Sequence, residues 1–511
     1  MEITFLIILS LIGLMIGYLI IKPIVLLLLL KLQLGDKAIL MFNPISGILG
    51  VLMQSIKTNN DVMHTIYQAL IKNPKAQVIL SNYLATPCII LTGSEYLKDT
   101  FRDHYDFEKI DPFMVPQFAQ RGLLMIEGEG WKRQRAFLGS AFTFEKLKSR
   151  LPMINKVVNC ITEQDDKKNL TDFMARITGE VVIKSFFGEL AEGFQLEGKD
   201  AQVALTQLTG EMQIFKLESL YYFLKSLIFR EKMWEVFPSK QEKDIIKRVT
   251  NVRIKVKELI LKRIEQLREN PIQNQDSMVF LDIYVTEYLK QQQQQQTQKE
   301  QLIEIEEILH QFITLFFVGT DTTATTSGTC LYYLAKYPEI QSEILQEVQD
   351  VIGDNEINES NLNKLLKINA LIQEVLRLRN PVLFTVFRKV KHDKQVQDIK
   401  LKKGWVVVQM KNSSSIKDSH FDNAIEFNYK RWLKKGNLIK NDNGFIHIPF
   451  AAGQRNCIGQ HMAMMEARII IALIVRKYKI LLNPAVKQVR FGIKLLQCIE
   501  PDNCLLFEKR I

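Results

Sequence analysis

The ten residues "FAAGQRNCIG", Phe450 to Gly459, constrain this chain more than any other stretch. They set Cys457 between Gly453 and Gly459, with Arg455 two positions before it and Phe450 seven before it. A thiol that only packs needs neither glycine nor a neighbouring cation, and most intracellular cysteines are small buried hydrophobes. The two glycines allow the backbone to turn sharply and to approach a flat ligand closely. Behind them, "HMAMMEARIIIALIVRKYKI" repeats its apolar residues at helical spacing, with Pro484 beyond its end. Cys457 therefore stands just before a helix N-terminus, where backbone N–H groups and the dipole favour a thiolate, and Arg455 adds a cation. A thiolate so placed is a ligand for a soft or borderline metal.

Zinc is the first metal to test. The cysteines are Cys88, Cys160, Cys330, Cys457, Cys498 and Cys504; they form no C-x-x-C pair, and no second Cys or His stands at finger spacing from Cys457. A haem iron needs only one protein thiolate, because the porphyrin supplies four ligands. The pattern F-x-x-G-x-R-x-C-x-G, carried by Phe450, Gly453, Arg455, Cys457 and Gly459, resembles the haem-binding signature of the cytochrome P450 family. The resemblance implies haem b with Cys457 on its iron.

Four further motifs resemble the same family, in the family's order. "VGTDTTATTSGT" is poor helix material, since glycine and threonine are unfavourable there; back-bonding of the hydroxyls to carbonyls is the plain alternative. In the family, Gly319 would let dioxygen approach, while Asp321 and Thr322 would hold water and relay protons on the distal side. Val318 stands where the family commonly has Ala or Gly and should narrow the pocket. Glu374 and Arg377 fall at i, i+3 on one helix face; with Arg431 they resemble the family's structural triad, although Tyr429 replaces a common proline. Trp131 and Arg135 share a helix face and resemble a W-x-x-x-R pair that holds haem propionates. Arg388 resembles a propionate-binding arginine, and Arg455 would join it, since a planar guanidinium suits carboxylates.

The other end of the chain reads as a membrane anchor. Residues 3–21 carry no charge, and 19 residues at about 1.5 Å each match a hydrocarbon core of about 30 Å. Glu2 argues against a cleaved signal peptide, and Lys22, Lys31 and Lys37 after the span leave the remainder cytoplasmic. The expected organisation is an anchor over 1–31 and one catalytic domain over 32–511, mainly α with small β-sheets, in the P450 fold. Helices are expected at 61–72, 145–160, 241–268, 301–336, 341–352 and 362–379, and strands at 76–80, 88–92 and 404–410. Six glutamines at 291–296 read as a solvated loop.

A net charge of +11 is spread among acidic residues without an aromatic-basic motif, so no nucleic-acid partner is expected. No G-x-G-x-x-G follows a strand, so electrons should come from NADPH through a separate flavoprotein reductase. The implied reaction inserts one atom of O2 into a small apolar substrate at the endoplasmic reticulum membrane. A peroxide isomerase or dehydratase and a gas-sensing haem protein are the alternatives. Pocket walls are expected from 106–125, 205–237, around Phe316 and 381–387, with Phe113, Met114, Phe215, Phe316, Leu383 and Phe384 among them. Residues 217–237 mix Tyr221, Tyr222, Phe223, Phe229 and Trp234 with Lys225, Arg230 and Lys232, which suggests a second membrane contact.

Overall fold

The computed structural model describes residues 2–510 except 44–45, 84–85, 111–114, 116–117, 165–166, 219–224, 226–228, 230–231, 275–277, 294–302, 435–437, 441 and 494–495. The helices that build the site are α1 (Glu2–Leu34), α2 (Gly128–Gly139), α3 (Leu170–Phe187), α4 (Lys240–Glu269), α5 (Ile305–Lys336), α6 (Leu366–Leu378) and α7 (Gln460–Lys477). A six-stranded sheet stands beside them, made of β1 (Ala38–Leu40), β2 (Val78–Tyr83), β3 (Thr86–Leu91), β4 (Phe107–Lys109), β5 (Arg388–Val390) and β6 (Val406–Gln409). Its order is β1-β2-β3-β6-β5-β4. The mainly helical chain with small sheets agrees with the expectation from sequence.

Helix α5 runs through the middle of the molecule, and its flanks are apolar almost all round, as a helix packed on every side requires. Its glycine and threonine stretch does not break it. Threonine hydroxyls fold back onto the helix's own carbonyls instead: Thr322 donates to Val318 at 2.8 Å and Thr326 to Thr322 at 2.9 Å. Helix α3 lies against α5. A Cβ on Gly179 would stand 3.5 Å from Phe316 and Thr320, and Thr178 donates to the Thr320 carbonyl at 3.0 Å. Phe316 thus belongs to the α3–α5 core and is not a pocket wall.

Helix α1 contains the apolar stretch 3–21, most of whose side chains lie outside the described residues. Among the described residues, no helix is long and apolar enough to cross a membrane. In the last turns of α1, Leu27, Leu30 and Leu34 are buried against the sheet. A boundary at residue 31 therefore falls inside a helix that is packed on the catalytic domain.

The segment before α4 also departs from expectation. Trp234 is 2% exposed, and Lys225 forms an ion pair with Glu242 at 2.9 Å, both side chains buried. Glu242 also closes a capping box with Ser239 at the start of α4, so the pair ties the preceding segment to a helix end. Phe229 packs partly buried on the main core. Neither Trp234 nor Lys225 can face lipid headgroups. Tyr221, Tyr222, Phe223 and Arg230 lie outside the described residues.

Candidate active site

The cysteine loop joins the sheet region to α7. Gly453 has φ +69, and a Cβ there would meet the Phe101 carbonyl oxygen at 2.7 Å, so a close approach of chain to chain, rather than of chain to ligand, demands glycine. Gly459 has φ −88 and nothing nearer than 3.9 Å to its Cβ position, so it answers no such conflict. The Cys457 N–H donates to the Phe450 carbonyl at 2.8 Å, which closes the loop and puts the thiol at the start of α7. Cys457 faces a cavity of about 940 Å³ that runs from this loop to the flank of α5.

Electrostatics at the thiol differ from the expectation. Burial pushes Cys457 up, while the Gly459 N–H, Lys411 and Arg135 push it down. Arg455 takes no part in this. Its guanidinium lies over the Trp131 ring, 3.7 Å from the centroid, and donates to the Ile126 carbonyl at 3.1 Å. Arg135 is engaged as well: it donates to the carbonyl of Asn456 at 2.8 Å and to that residue's side chain. It braces the cysteine loop from α2, although it still lines the cavity. Trp131, Arg388 and Phe450 line the same space.

A positive wall follows from strand register. Lys109 of β4 is the direct partner of Arg388 of β5, a like-charge pairing that destabilises a sheet unless an anion relieves it. Arg455 acts on both. Glu127 is the nearby carboxylate, 3.7 Å from Arg388 and accepting the Lys109 backbone N–H at 3.3 Å. Burial, then Arg455 and Arg388, hold Lys109 well below the ordinary lysine range. Burial, then Arg388, hold Arg455 down at about 10. Among the described residues, Nη1 of Arg388 and Nε of Arg455 are buried without hydrogen-bond partners. His104 packs on Trp131 with ring centroids 5.4 Å apart, and burial with the two arginines holds it at about 4. Cations in such excess, with donors left unpaired, match a ligand that brings two carboxylates to this wall. The residues present therefore fit haem: a thiol under the cavity, an apolar interior and a cationic edge for the propionates.

On the α5 side, Val318, Gly319 and Thr322 line the cavity. Asp321 is not among the lining residues; it is half-buried one position round the helix. Leu383 and Phe384 also line the cavity, with Leu315, Phe317 and Met212. Phe113 and Met114 lie outside the described residues, as does the side chain of Phe215.

Glu374, Arg377 and Arg431 converge behind α6. Arg377 binds Glu374 through two parallel bonds of 2.9 and 2.8 Å, both side chains 0% exposed, and Arg431 reaches the same carboxylate at 3.2 Å. Trp432 and the Asn428 N–H add bonds of 2.9 and 2.8 Å. These donors hold the Glu374 carboxyl below its ordinary range despite burial. Tyr429 is buried beside them and donates to Glu343.

Among the lining residues that sequence reasoning did not single out are His104, Lys411 and Glu466, and Lys109 entered only as part of the 106–125 stretch. Lys109 and His104 had a weak signal, two cationic types in "FRDHYDFEK", but their meaning depends on the pairing with β5. Burial pushes the carboxyl of Glu466, 2% exposed, well above its ordinary range, and Oε1 has no partner.

Comparison with known proteins agrees with this geometry. Cytochrome P450 72A68 of Medicago truncatula is 27% identical over 405 residues, covering 77% of this chain and 74% of the relative. The 11-oxo-beta-amyrin 30-oxidase of Glycyrrhiza uralensis is 25% identical over 428 residues, covering 80% of this chain and 77% of that one. The solved structure described as "Crystal structure of cytochrome P450DA heme domain" superposes with a TM-score of 0.70 at 16% identity, covering 89% of this chain and 94% of the other, which speaks for the fold. A sequence model described as Cytochrome P450 matches residues 44–503. Because that match takes in the cysteine loop, the long helix and the cationic wall together, the chain belongs to the cytochrome P450 family, whose members hold haem by a cysteine thiolate and act as monooxygenases on organic substrates with O2 and a redox partner.

Proposed function

We propose that Cys457 is the axial ligand and that this chain oxygenates an apolar organic molecule at the endoplasmic reticulum membrane, with electrons from NADPH through a flavoprotein reductase. The placement of Cys457 carries the reading: a thiol at the floor of an apolar cavity whose edge is cationic. The haem supplies dioxygen activation when bound. Arg388 and Arg455, with Lys109 and His104, hold its carboxylates, while Arg135 and Trp131 brace the loop and the arginine beside it. Thr322 lines the cavity with its hydroxyl resting on the Val318 carbonyl, from which it would turn to deliver a proton, and Asp321 stands behind it as the source of protons. Leu315, Val318, Leu383 and Phe384 shed water and orient the substrate, and Val318 narrows its approach. Relatives named as an oxidase and a hydroxylase favour this chemistry over isomerisation or gas sensing.

Membrane attachment is supported by the apolar stretch 3–21 and by α1 beyond it, where Ile21, Val25, Leu28, Leu29 and Leu32 remain exposed. We place the anchor over 1–31 and the catalytic domain over 32–511. The test of the ligand is Cys457→His. The reduced, carbon monoxide-bound spectrum loses its thiolate character and reductase-dependent oxygenation stops; an unchanged spectrum would assign the ligand to another residue.

A further inference from the structure

Two hydroxyls on the cavity wall are buried with no hydrogen-bond partner among the described residues: Ser185 Oγ on α3 and Thr314 Oγ1 on α5. Thr314 is covered by the chain beside it, since a Cβ on Gly122 would stand 1.9 Å from that oxygen. Ser185 is 0% exposed. A helical hydroxyl ordinarily bonds back to the carbonyl one turn before it, as Thr178 of the same helix does to Met174 at 3.1 Å. Left unpaired in the interior, a hydroxyl bears the full cost of its lost hydration. On the wall of an apolar cavity, such a group orients a ligand that brings it a partner. The packing of α3 on α5 sets its height. Thr178 bonds to the Thr320 carbonyl, a Cβ on Gly319 would stand 3.0 Å from Val182, and the rings of Phe186 and Phe312 are 5.1 Å apart. The two helices are therefore antiparallel, and Ser185 falls at the level of Leu315, seven residues before Thr322. At 1.5 Å per residue the separation along α5 is about 10 Å. Val182 and Met212, from α3 and the helix Ala201–Glu218, line the cavity with Leu315 and Val318, and all four are apolar. The cations of the wall, Lys109, Arg135, Arg388, Lys411 and Arg455, come from other elements; among the described residues, these three helices bring none to it.

We propose that Ser185 determines specificity by binding the oxygen of a neutral alcohol or ketone. The substrate is then an apolar molecule already oxygenated at one end, and it is oxidised about 10 Å from that oxygen. The proposal names a substrate class for the oxygenase reading above and rests on that reading. A ketone accepts from the Ser185 hydroxyl, and an alcohol accepts from it or donates to it. A carboxylate is the wrong partner here, because no cation stands on these three helices to match a buried charge. A hydrocarbon is also disfavoured, since it leaves the hydroxyl unpaired and dry, the condition under which a site built to bond an oxygen rejects the analogue that lacks it.

The experiment uses the haem-loaded full chain in detergent micelles with radiolabelled n-decane, 1-decanol and decanoic acid as probes. Equilibrium dialysis gives each affinity without reference to the iron, and the carbon monoxide spectrum of the same sample reports the iron's ligand. A spectrum without thiolate character therefore overturns the ligand reading while the dialysis still decides on Ser185. Ser185→Ala is expected to weaken 1-decanol about tenfold and to leave n-decane and decanoic acid within about twofold of wild type. Ser185→Thr, which keeps the hydroxyl, binds 1-decanol as wild type does. With a reductase supplied, wild type oxidises 1-decanol toward the end of the chain remote from its hydroxyl, and Ser185→Ala spreads the products along the chain. Equal weakening of n-decane and 1-decanol overturns the proposal and makes Ser185 a packing residue. An unchanged affinity for 1-decanol, or no binding of it by wild type, overturns it as well. A loss for decanoic acid as large as that for 1-decanol overturns the choice of a neutral oxygen. If Ser185→Ala fails to load haem, Ser185→Cys, similar in shape and a weak donor, is read by the same outcomes.

Discussion

Replacing Lys109 by Met tests whether the cationic wall is built for a ligand or for the fold, because the two cases differ in sign. Lys109 faces Arg388 across β4 and β5. Directly opposed residues have Cβ atoms about 5 Å apart, and two unit charges about 7 Å apart at an effective dielectric of about 20 repel by about 2.4 kcal/mol, an upper bound here because the lowered Lys109 can shed its proton. Arg455 adds to this, and Glu127 offsets part of it. Against the relief stands one hydrogen bond, from Lys109 Nζ to the Leu124 carbonyl, worth about 1 kcal/mol net. Haem-free Lys109→Met should therefore be more stable than wild type by about 1 kcal/mol. The haem-loaded protein should lose a charge-assisted hydrogen bond of about 1.5–3 kcal/mol, or roughly ten- to a hundredfold faster haem release. Urea unfolding of the haem-free protein measures the first effect, and transfer of haem to an excess of a scavenging globin measures the second. A variant that is less stable without haem and releases it at the wild-type rate would refute this account and make Lys109 a strut for the Leu124 turn.

Other expectations follow from the same geometry. Thr322→Val should load haem and draw electrons from its redox partner while more of them leave as hydrogen peroxide; wild-type product yield per electron consumed would remove Thr322 from the proton path. Glu374→Gln should cost about 3–5 kcal/mol, because it leaves Arg377 and Arg431 buried without their counter-charge, and denaturant unfolding reads this loss. Burial holds His104 and His310 at about 4 and His447 at about 3. The unfolded chain takes up these protons near pH 6.5 and the folded one only near 3–4, so stability is complete above pH 6.5 and falls as the pH drops toward 4. Each group contributes a slope of about 1.4 kcal/mol per pH unit. His447→Gln should flatten the acid limb of a stability–pH curve, and an unchanged limb would exclude His447.

The motifs legible in the sequence were those whose spacing is local. Cys457 before α7, Glu374 and Arg377 on one turn, and Trp131 and Arg135 on one face each follow from helical geometry. What could not be read were partners set by tertiary register. Arg455 looked like the cation for Cys457 because it is two residues away, yet the loop turns it toward Trp131, and Lys411 takes that place from 46 positions earlier in the chain. Arg388 was expected to bind carboxylates, but nothing local marked Lys109 as its strand neighbour. Aromatic composition misled at Trp234, where the ring that suggested a membrane face fills the core.

The packing of α1 bears on how the protein is handled and, on the membrane attachment proposed above, on how it would stand on a bilayer. Leu27, Leu30 and Leu34 seal one face of the sheet, while Val25, Leu28, Leu29 and Leu32 point away from it. A helix held on one side by the domain from Leu27 onward fixes the direction in which the chain leaves the sheet, and Pro23 is the point at which the part before it can bend. Trimming the chain after residue 31 uncovers apolar sheet surface and invites aggregation, whereas trimming before Leu27 leaves that seal in place.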